Sequence, residues 1–299
     1  LVGQKTESQR EIRDLVTAIE SNMDSHSNEF IKGLLQDLKV QVSQAISQES
    51  WFTKWGAHFL AAIRKAHLYQ MCMDFKNPGI QIYGGMGYSA DTPMEAAYRD
   101  ARIARIYEGT NEINRMLLVG MILKKAMKGE LDIMTPAMKI AADLMSIPSF
   151  DRPDENELFV VEKEQVKKLK KAILMAAGKA AQHFAMDIEK EQEVLMNLAD
   201  MVIEVYTAES AILRAEKLAL KNGEDQTASQ ITMSKLFLYG AIKNCQKSGE
   251  EVILSFAEED EQSMLLMGLK RFTKGYTINP KKLRREIAAK LIEENTYCF

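Results

Sequence analysis

The chain has 299 residues, 46% of them hydrophobic, and a formal net charge of −3. That length leaves room for two domains, and the near-balanced charge excludes a protein that binds nucleic acid by neutralising phosphates. Sixteen glycines and six prolines are few; together with 18 methionines and no long β-branched alternation they predict an all-α fold built from helical bundles.

In chain order, residues 6 to 48 read as two polar amphipathic helices, the second with a stripe of Phe30, Leu34, Leu35, Leu38, Val42 and Ile46. A further helix begins near Phe52 and is expected to break at Lys76-Asn77-Pro78, because a residue before proline is pushed out of the helical region. Trp51 and Trp55 share a face of it and read as core packing.

Gln81 to Ser89 packs three glycines, Gly84, Gly85 and Gly87, into four positions beside aromatic residues. Such a backbone can approach a flat or phosphorylated ligand closely. Taken literally, Gly85-x-Gly87-x-x-Ala90 followed by Glu108 satisfies the dinucleotide-binding fingerprint. That fingerprint needs a helix opening at the glycines and a second strand carrying the acid. Here the helix opens later, at Thr92, so the match is set aside.

Thr92-Pro93-Met94-Glu95 reads as a helix start with a capping box and a first-turn proline. The helix runs through Ala96, Ala97, Arg102 and Ile106 until Gly109 ends it, leaving Glu108 at its C-terminal edge. Thr110 or Asn111 then caps a second helix with apolar positions Ile113, Met116, Leu117, Met121 and Leu123. Lys124, Lys125 and Lys128 complement the negative end of its dipole, and Gly129 follows. Glu108 carries two readings. It is a solvated glutamate in an interhelical turn, or a carboxylate whose site at a helix end, with any burial, disfavours its ionised form and suits it to act as a base.

Pro136, Pro148 and Pro153 mark a connecting segment with a boundary near 150. Beyond it, Val166, Leu169, Ile173, Ala176, Ala180 and His183 or Phe184 step at helical spacing, as do Leu195, Leu198, Val202, Val205 and Ile212. Helices over about 162 to 189, 191 to 222, 226 to 272 with internal breaks, and 280 to 294 make an up-and-down bundle, punctuated at Asn222-Gly223 and Asn279-Pro280. These stripes read as packing. The basic runs Lys167-Lys168, Lys170-Lys171 and Lys281-Lys282 with Arg284-Arg285 read as solvated helix faces, with a membrane-surface patch as the alternative.

Cys72, Cys245 and Cys298 are odd in number and widely spaced, which indicates neither a disulfide framework nor a zinc site. His26, His58, His67 and His183 lack ligand spacing, so no metal is expected. No stretch approaches the roughly 20 apolar residues that span a bilayer, and the N-terminus does not read as a signal peptide.

The segments QIYGGMGYSADTP (from Gln81), YRDARI (Tyr98 to Ile103) and IYEGTNEINR (from Ile106) together resemble the C-terminal helical domain of acyl-CoA dehydrogenases. The region after Gly129 resembles, more loosely, the extra helical domain of the very-long-chain type. The resemblance covers about 79 to 299. It implies a division into 79–147, part of the C-terminal helical domain, and 148–299, the additional bundle. By that resemblance Glu108 abstracts the α-proton of a fatty acyl-CoA while the β-hydrogen leaves as hydride to the flavin of FAD. Gly109 is then near the thioester, and Gln81, Ile82, Tyr83, Gly84, Gly85, Thr110, Asn111 and Glu112 near the flavin. The resemblance also implies a long acyl chain, a homodimer or higher homo-oligomer, an acceptor of the electron-transfer flavoprotein type, and the bacterial cytoplasm or mitochondrial matrix. A membrane surface stays open as a further partner, since relatives with the extra domain include membrane-associated enzymes. The chemistry gives its own reason for a cofactor, since no side chain here accepts hydride.

Residues 1–78 depart from the pattern. The long alanine-rich helix and the flavin-gripping arginine and phenylalanine expected before Gln81 are not recognisable, and the family's N-terminal helical domain and β-domain have no counterpart. Trp51 to Gly79 instead resembles the tail of some proteins with von Willebrand factor A-type domains. Two readings follow: the C-terminal portion of an acyl-CoA dehydrogenase, or a catalytically inactive helical oligomerisation or interaction module derived from it.

Overall fold

A computed structural model describes residues 56–133, 135–137, 139–140 and 157–299. The expectations for residues 6 to 48, for Trp51, Phe52 and Trp55, and for the boundary near 150 lie outside these residues. Among the described residues every regular element is helical.

The first half consists of α1 (Gly56–Tyr83), the single turn α2 (Gly85–Tyr88), α3 (Pro93–Ala104) and α4 (Asn111–Met127). Helix α1 packs against both α3 and α4, burying Ala62, Ile63 and Ala66 with Ala101, Ala104, Leu118 and Val119. The break expected at Lys76-Asn77-Pro78 is absent, and Pro78 lies inside α1. An internal proline costs about 3 kcal/mol or more. Close packing lies just beyond it: a Cβ on Gly79 would sit 2.9 Å from Met94 Sδ, so the Met94 side chain of α3 rests on the α1 backbone there.

The second half is a bundle of α5 (Val160–Phe184), α6 (Gln192–Asn222), α7 (Ala228–Leu254), α8 (Glu259–Thr273) and α9 (Pro280–Glu294). The long α6 packs on α5 and α7 and also on α4, so it joins the two halves. Its expected stripe Leu195, Leu198, Val202, Val205 and Ile212 is buried, and Ala199, Ala208 and Ala215 let neighbouring helices approach closely. On α5, Val166, Leu169, Ala176 and Ala180 are buried and Ile173 packs against the core. Phe184 rather than the exposed His183 completes that stripe.

Gly223, at φ 88°, ends α6, and Asn279 caps α9 by accepting from the Lys282 N–H at 3.1 Å. Helix α9 buries none of its residues and lies on α7. Its basic residues Lys281, Lys282, Arg284 and Arg285 are exposed, with Lys282 paired to Glu286 one turn on. No helix among the described residues is long and apolar enough to cross a membrane.

Candidate functional site

The glycine segment separates into residues the fold demands and one it does not. Gly84 reverses the chain between α1 and α2 at φ 60°, a conformation that costs other residues about 1–2 kcal/mol. Gly87 is buried, and a Cβ there would fall 2.5 Å from the Ile80 carbonyl oxygen. Gly85 meets nothing within 4 Å. Around it Gln81, Ile82, Tyr83 and Met86 are exposed. Thr92 occupies the N-cap of α3 but forms no capping box. Its hydroxyl donates to the Met86 carbonyl at 2.6 Å, and Glu95 pairs with Arg99. The threonine thus ties α3 to α2 instead of closing its own helix.

Helix α3 ends at Ala104 with Arg105 as its cap, two residues before the expected Ile106. Glu108 (φ 55°) and Gly109 (φ 82°) then turn through the left-handed region. The Asn111 N–H closes the loop by donating to the Arg105 carbonyl at 3.0 Å. This satisfies the end of one helix with the start of the next, so the expected termination at Glu108 becomes a closed turn.

Three groups hold this loop. Thr110 caps α4 by accepting from the Ile113 N–H at 3.2 Å, as the motif predicts. The Asn114 amide donates to the carbonyls of Gly109 at 2.9 Å and Thr110 at 2.8 Å. From α1, Lys65 donates to the Tyr107 carbonyl at 2.6 Å and also to the Glu108 carbonyl. Its ammonium lies 6.0 Å from the Tyr69 ring centre and 5.8 Å from that of Tyr107. Burial, then Tyr107 and Glu108, push the Tyr69 phenol up to about 12. The Glu108 side chain is exposed.

Asn111 is 0% exposed, with its amide donating to the Ala66 carbonyl at 3.3 Å and its Oδ1 unpartnered. That side chain faces α1 and the interior, away from the exposed surface where Glu112 stands. Glu112 lies 3.9 Å from Arg105. Its carboxyl is held below the usual range by its own backbone N–H first, with Thr110 and Arg105 adding to this. Arg115 donates to Asp200 of α6 at 2.6 Å and to the Asn111 carbonyl at 3.3 Å. Asn114 and Arg115 had a signal in the sequence, since they follow Asn111 by three and four residues and so share its face. Lys65 had none, being 43 residues from Glu108 in a stretch of another character.

The expected apolar face of α4 is turned. Met116, Met121 and Leu123 pack partly on the core, but Ile113 is 59% and Leu117 49% exposed. The inward positions are Asn111, Asn114, Leu118 and Val119. The hydrogen bonds of Asn111, Asn114 and Arg115 require their face to look inward, which sends Ile113 and Leu117 out. Ile103, Ile106 and Tyr107 extend this exposed apolar character around the loop, while Ile82, at 82% exposure, Tyr83, Met86 and Tyr88, at 80%, form a second exposed group at the other end of α1 from Lys65. Exposed apolar side chains in such concentration mark a surface that something covers. Among the described residues no His, Cys, Asp and Glu group could hold a metal ion. A surface cavity lined by Glu157, Lys163, Glu216 and Glu224 among others contains none of the candidate residues.

Comparison with known proteins now gives these positions a context. Residues 168–271 match a family model described as acyl-CoA dehydrogenase, C-terminal domain. Residues 28–101 match one described as VWA / Hh protein intein-like, a range that includes Trp51 to Gly79. A Bacillus subtilis (strain 168) protein named "Probable acyl-CoA dehydrogenase" is 39% identical over 221 residues, 73% of this chain and 36% of that protein. The short-chain specific acyl-CoA dehydrogenase of human mitochondria is 45% identical over 64 residues, 21% of this chain and 16% of that one. The crystal structure of a Bacillus anthracis acyl-CoA dehydrogenase complexed with FAD superposes with a TM-score of 0.77 at 35% identity, covering 81% of this chain and 41% of the other. The all-helical fold is that of the C-terminal helical part of such enzymes, and the chain spans well under half the length of these relatives.

Proposed function

We propose that this chain is the C-terminal portion of an FAD-dependent acyl-CoA dehydrogenase, with Glu108 as the base that removes the α-proton of a fatty acyl-CoA. The observation that carries this reading is the pinned loop from Arg105 to Asn111. It offers an exposed carboxylate on a backbone closed by Asn111, Asn114 and Lys65, in a fold 35% identical to an FAD-complexed relative. An α-proton beside a thioester is weakly acidic, so its removal needs a base held in place and kept from water. The loop supplies the holding. The exposed apolar side chains around it are suited to the second requirement once another surface lies against them.

The residues fit a flavin. Gly85 leaves its backbone open with nothing within 4 Å, and Gln81, Ile82 and Tyr83 stand exposed beside it. These, with Gly84, Thr110 and Glu112, are the groups assigned to contact FAD, which supplies when bound the hydride acceptor no side chain provides. Asn111 serves that surface by fixing the start of α4, its side chain being enclosed. Gly109 is assigned to the thioester side, its carbonyl already engaged by Asn114. In this reading residues 79–147 belong to the catalytic helical domain and 148–299 to an added bundle of the very-long-chain type. A long-chain acyl-CoA is therefore the first substrate to test, with the short chain of the human relative as its counterpart. Assembly as a homodimer or larger and an electron-transfer flavoprotein-type acceptor complete the proposal.

The purified protein is expected to be yellow and to bleach on addition of long-chain acyl-CoA. A colourless protein that takes up no FAD sinks activity for this chain by itself. Where bleaching occurs, Glu108→Gln is expected to slow it by at least about a hundredfold while sparing flavin binding. Retention of the rate refutes the assignment of the base.

A further inference from the structure

The second bundle reaches the candidate base loop through one ion pair. Asp200 projects from α6 and accepts from Arg115 Nε at 2.6 Å, and the Arg115 side chain is only 13% exposed. The same guanidinium donates to the carbonyl of Asn111. Asn111 is fully enclosed, and its N–H closes the Glu108 loop on Arg105. Three consecutive contacts thus connect α6 to the backbone that carries Glu108. On the loop's other side, Lys65 of α1 holds the carbonyls of Tyr107 and Glu108. We infer that Asp200 is a positioning residue for Glu108, so that the second bundle fixes the register of the loop through Arg115 and Asn111.

The geometry excludes the simpler role of a surface ion pair. A guanidinium enclosed to this degree with two acceptors loses both if it swings out to water, and hydrogen bonds to charged groups are stronger than neutral ones. His67, half-buried, lies close enough to Arg115 and Asp200 for both to act on its proton affinity. An Arg115 freed from Asp200 therefore leaves the Asn111 carbonyl without its second donor in a place where water replaces it poorly.

This inference rests on the reading of Glu108 as the base, and its test is chosen to stand apart from that reading. Hydrogen–deuterium exchange is measured on the whole chain, comparing the native sequence with Asp200→Asn and Asp200→Glu. Asp200→Asn is expected to speed exchange of the amides from Arg105 to Met116 on the order of tenfold, with α5 and α8 unchanged. Asp200→Glu, which keeps the charge, is expected to restore most of the protection. Unchanged exchange in the loop, acceleration shared equally by every helix, or failure of the glutamate to restore protection each overturns the inference. Flavin bleaching by the native chain tests the base separately, so a colourless protein with a loosened loop in Asp200→Asn refutes the chemistry and not the link. Where bleaching occurs, Asp200→Asn is expected to lower its rate severalfold with little change in the acyl-CoA concentration giving half effect. Asp200→Glu again restores it.

Discussion

The two halves of the molecule share one apolar core and differ in what is set around it. In the bundle of α5 to α9 the apolar stripes face inward, and outside it are pairs such as Lys170–Glu209 and Lys179–Glu261. In α1 to α4 the interior sets Asn111 and Asn114 among Ile63, Ala66, Leu118 and Val119, while Ile82, Tyr88, Ile113 and Leu117 look outward. A closed core is complete as it stands. Buried amides that fix a backbone, with apolar side chains left outside to be covered, suit a surface that meets a partner.

The strongest way to break this contrast is to truncate one residue of each kind. Leu169→Ala, in the bundle core, is expected to cost about 2–5 kcal/mol. Ile82→Ala, on the outer surface, is expected to stay within about 0.5 kcal/mol. Urea denaturation followed by circular dichroism measures both, and equal losses would erase the distinction.

Next in size is Thr110→Ala, which removes the cap that starts α4. A loss of about 1 kcal/mol in the same assay is expected. A null effect would mean that Asn114 and the Asn111 N–H hold the turn without it.

A finer test uses acidity. Burial first, then Arg115, hold the proton affinity of His67 below the ordinary histidine value, with Asp74 and Asp200 opposing. The folded form therefore binds fewer protons than the unfolded one as pH falls below about 6.5, and stability declines over that window. Glu204 on α6 acts in the opposite sense: burial pushes its carboxyl up, so its folded form gains a proton earlier than its unfolded form. His67→Gln is expected to flatten the decline below about pH 6.5, and an unaltered slope would exclude His67 as its source.

Smallest is Gly85→Ala. The fold offers it open space, and stability is expected to change by no more than about 0.5 kcal/mol. Flavin binding is expected to weaken, as read by titration of the absorption band. Unaltered affinity removes Gly85 from the cofactor site.

Much of this was written in the sequence where the rule is local. The stripes of α5 and α6, the Thr110 cap, the proline start of α3 and the stop at Gly223 all follow from residue type and spacing within a turn or two. Errors came where distant partners overrode a local preference. Pro78 stays helical because α1 meets α3 at Gly79, and Thr92 abandons its cap to bind Met86. The face of α4 was misread because periodicity counts apolar side chains, whereas here Asn111 and Asn114 share the inward face with Leu118 and Val119. At the site, the loop around Glu108 was legible and its supports were not, since Lys65 and Asp200 approach from 43 residues before Glu108 and 85 after Arg115.

The unequal glycines of the α1–α2 turn also bear on how this segment can drift through descent. Gly84 and Gly87 are tied to the backbone path, so a lineage that kept the fold and lost its chemistry would still retain them. Gly85 is bound by no such constraint from the fold. Its replacement in a descendant chain would then record the moment at which a ligand ceased to matter, and its persistence beside a retained Glu108 would record the reverse.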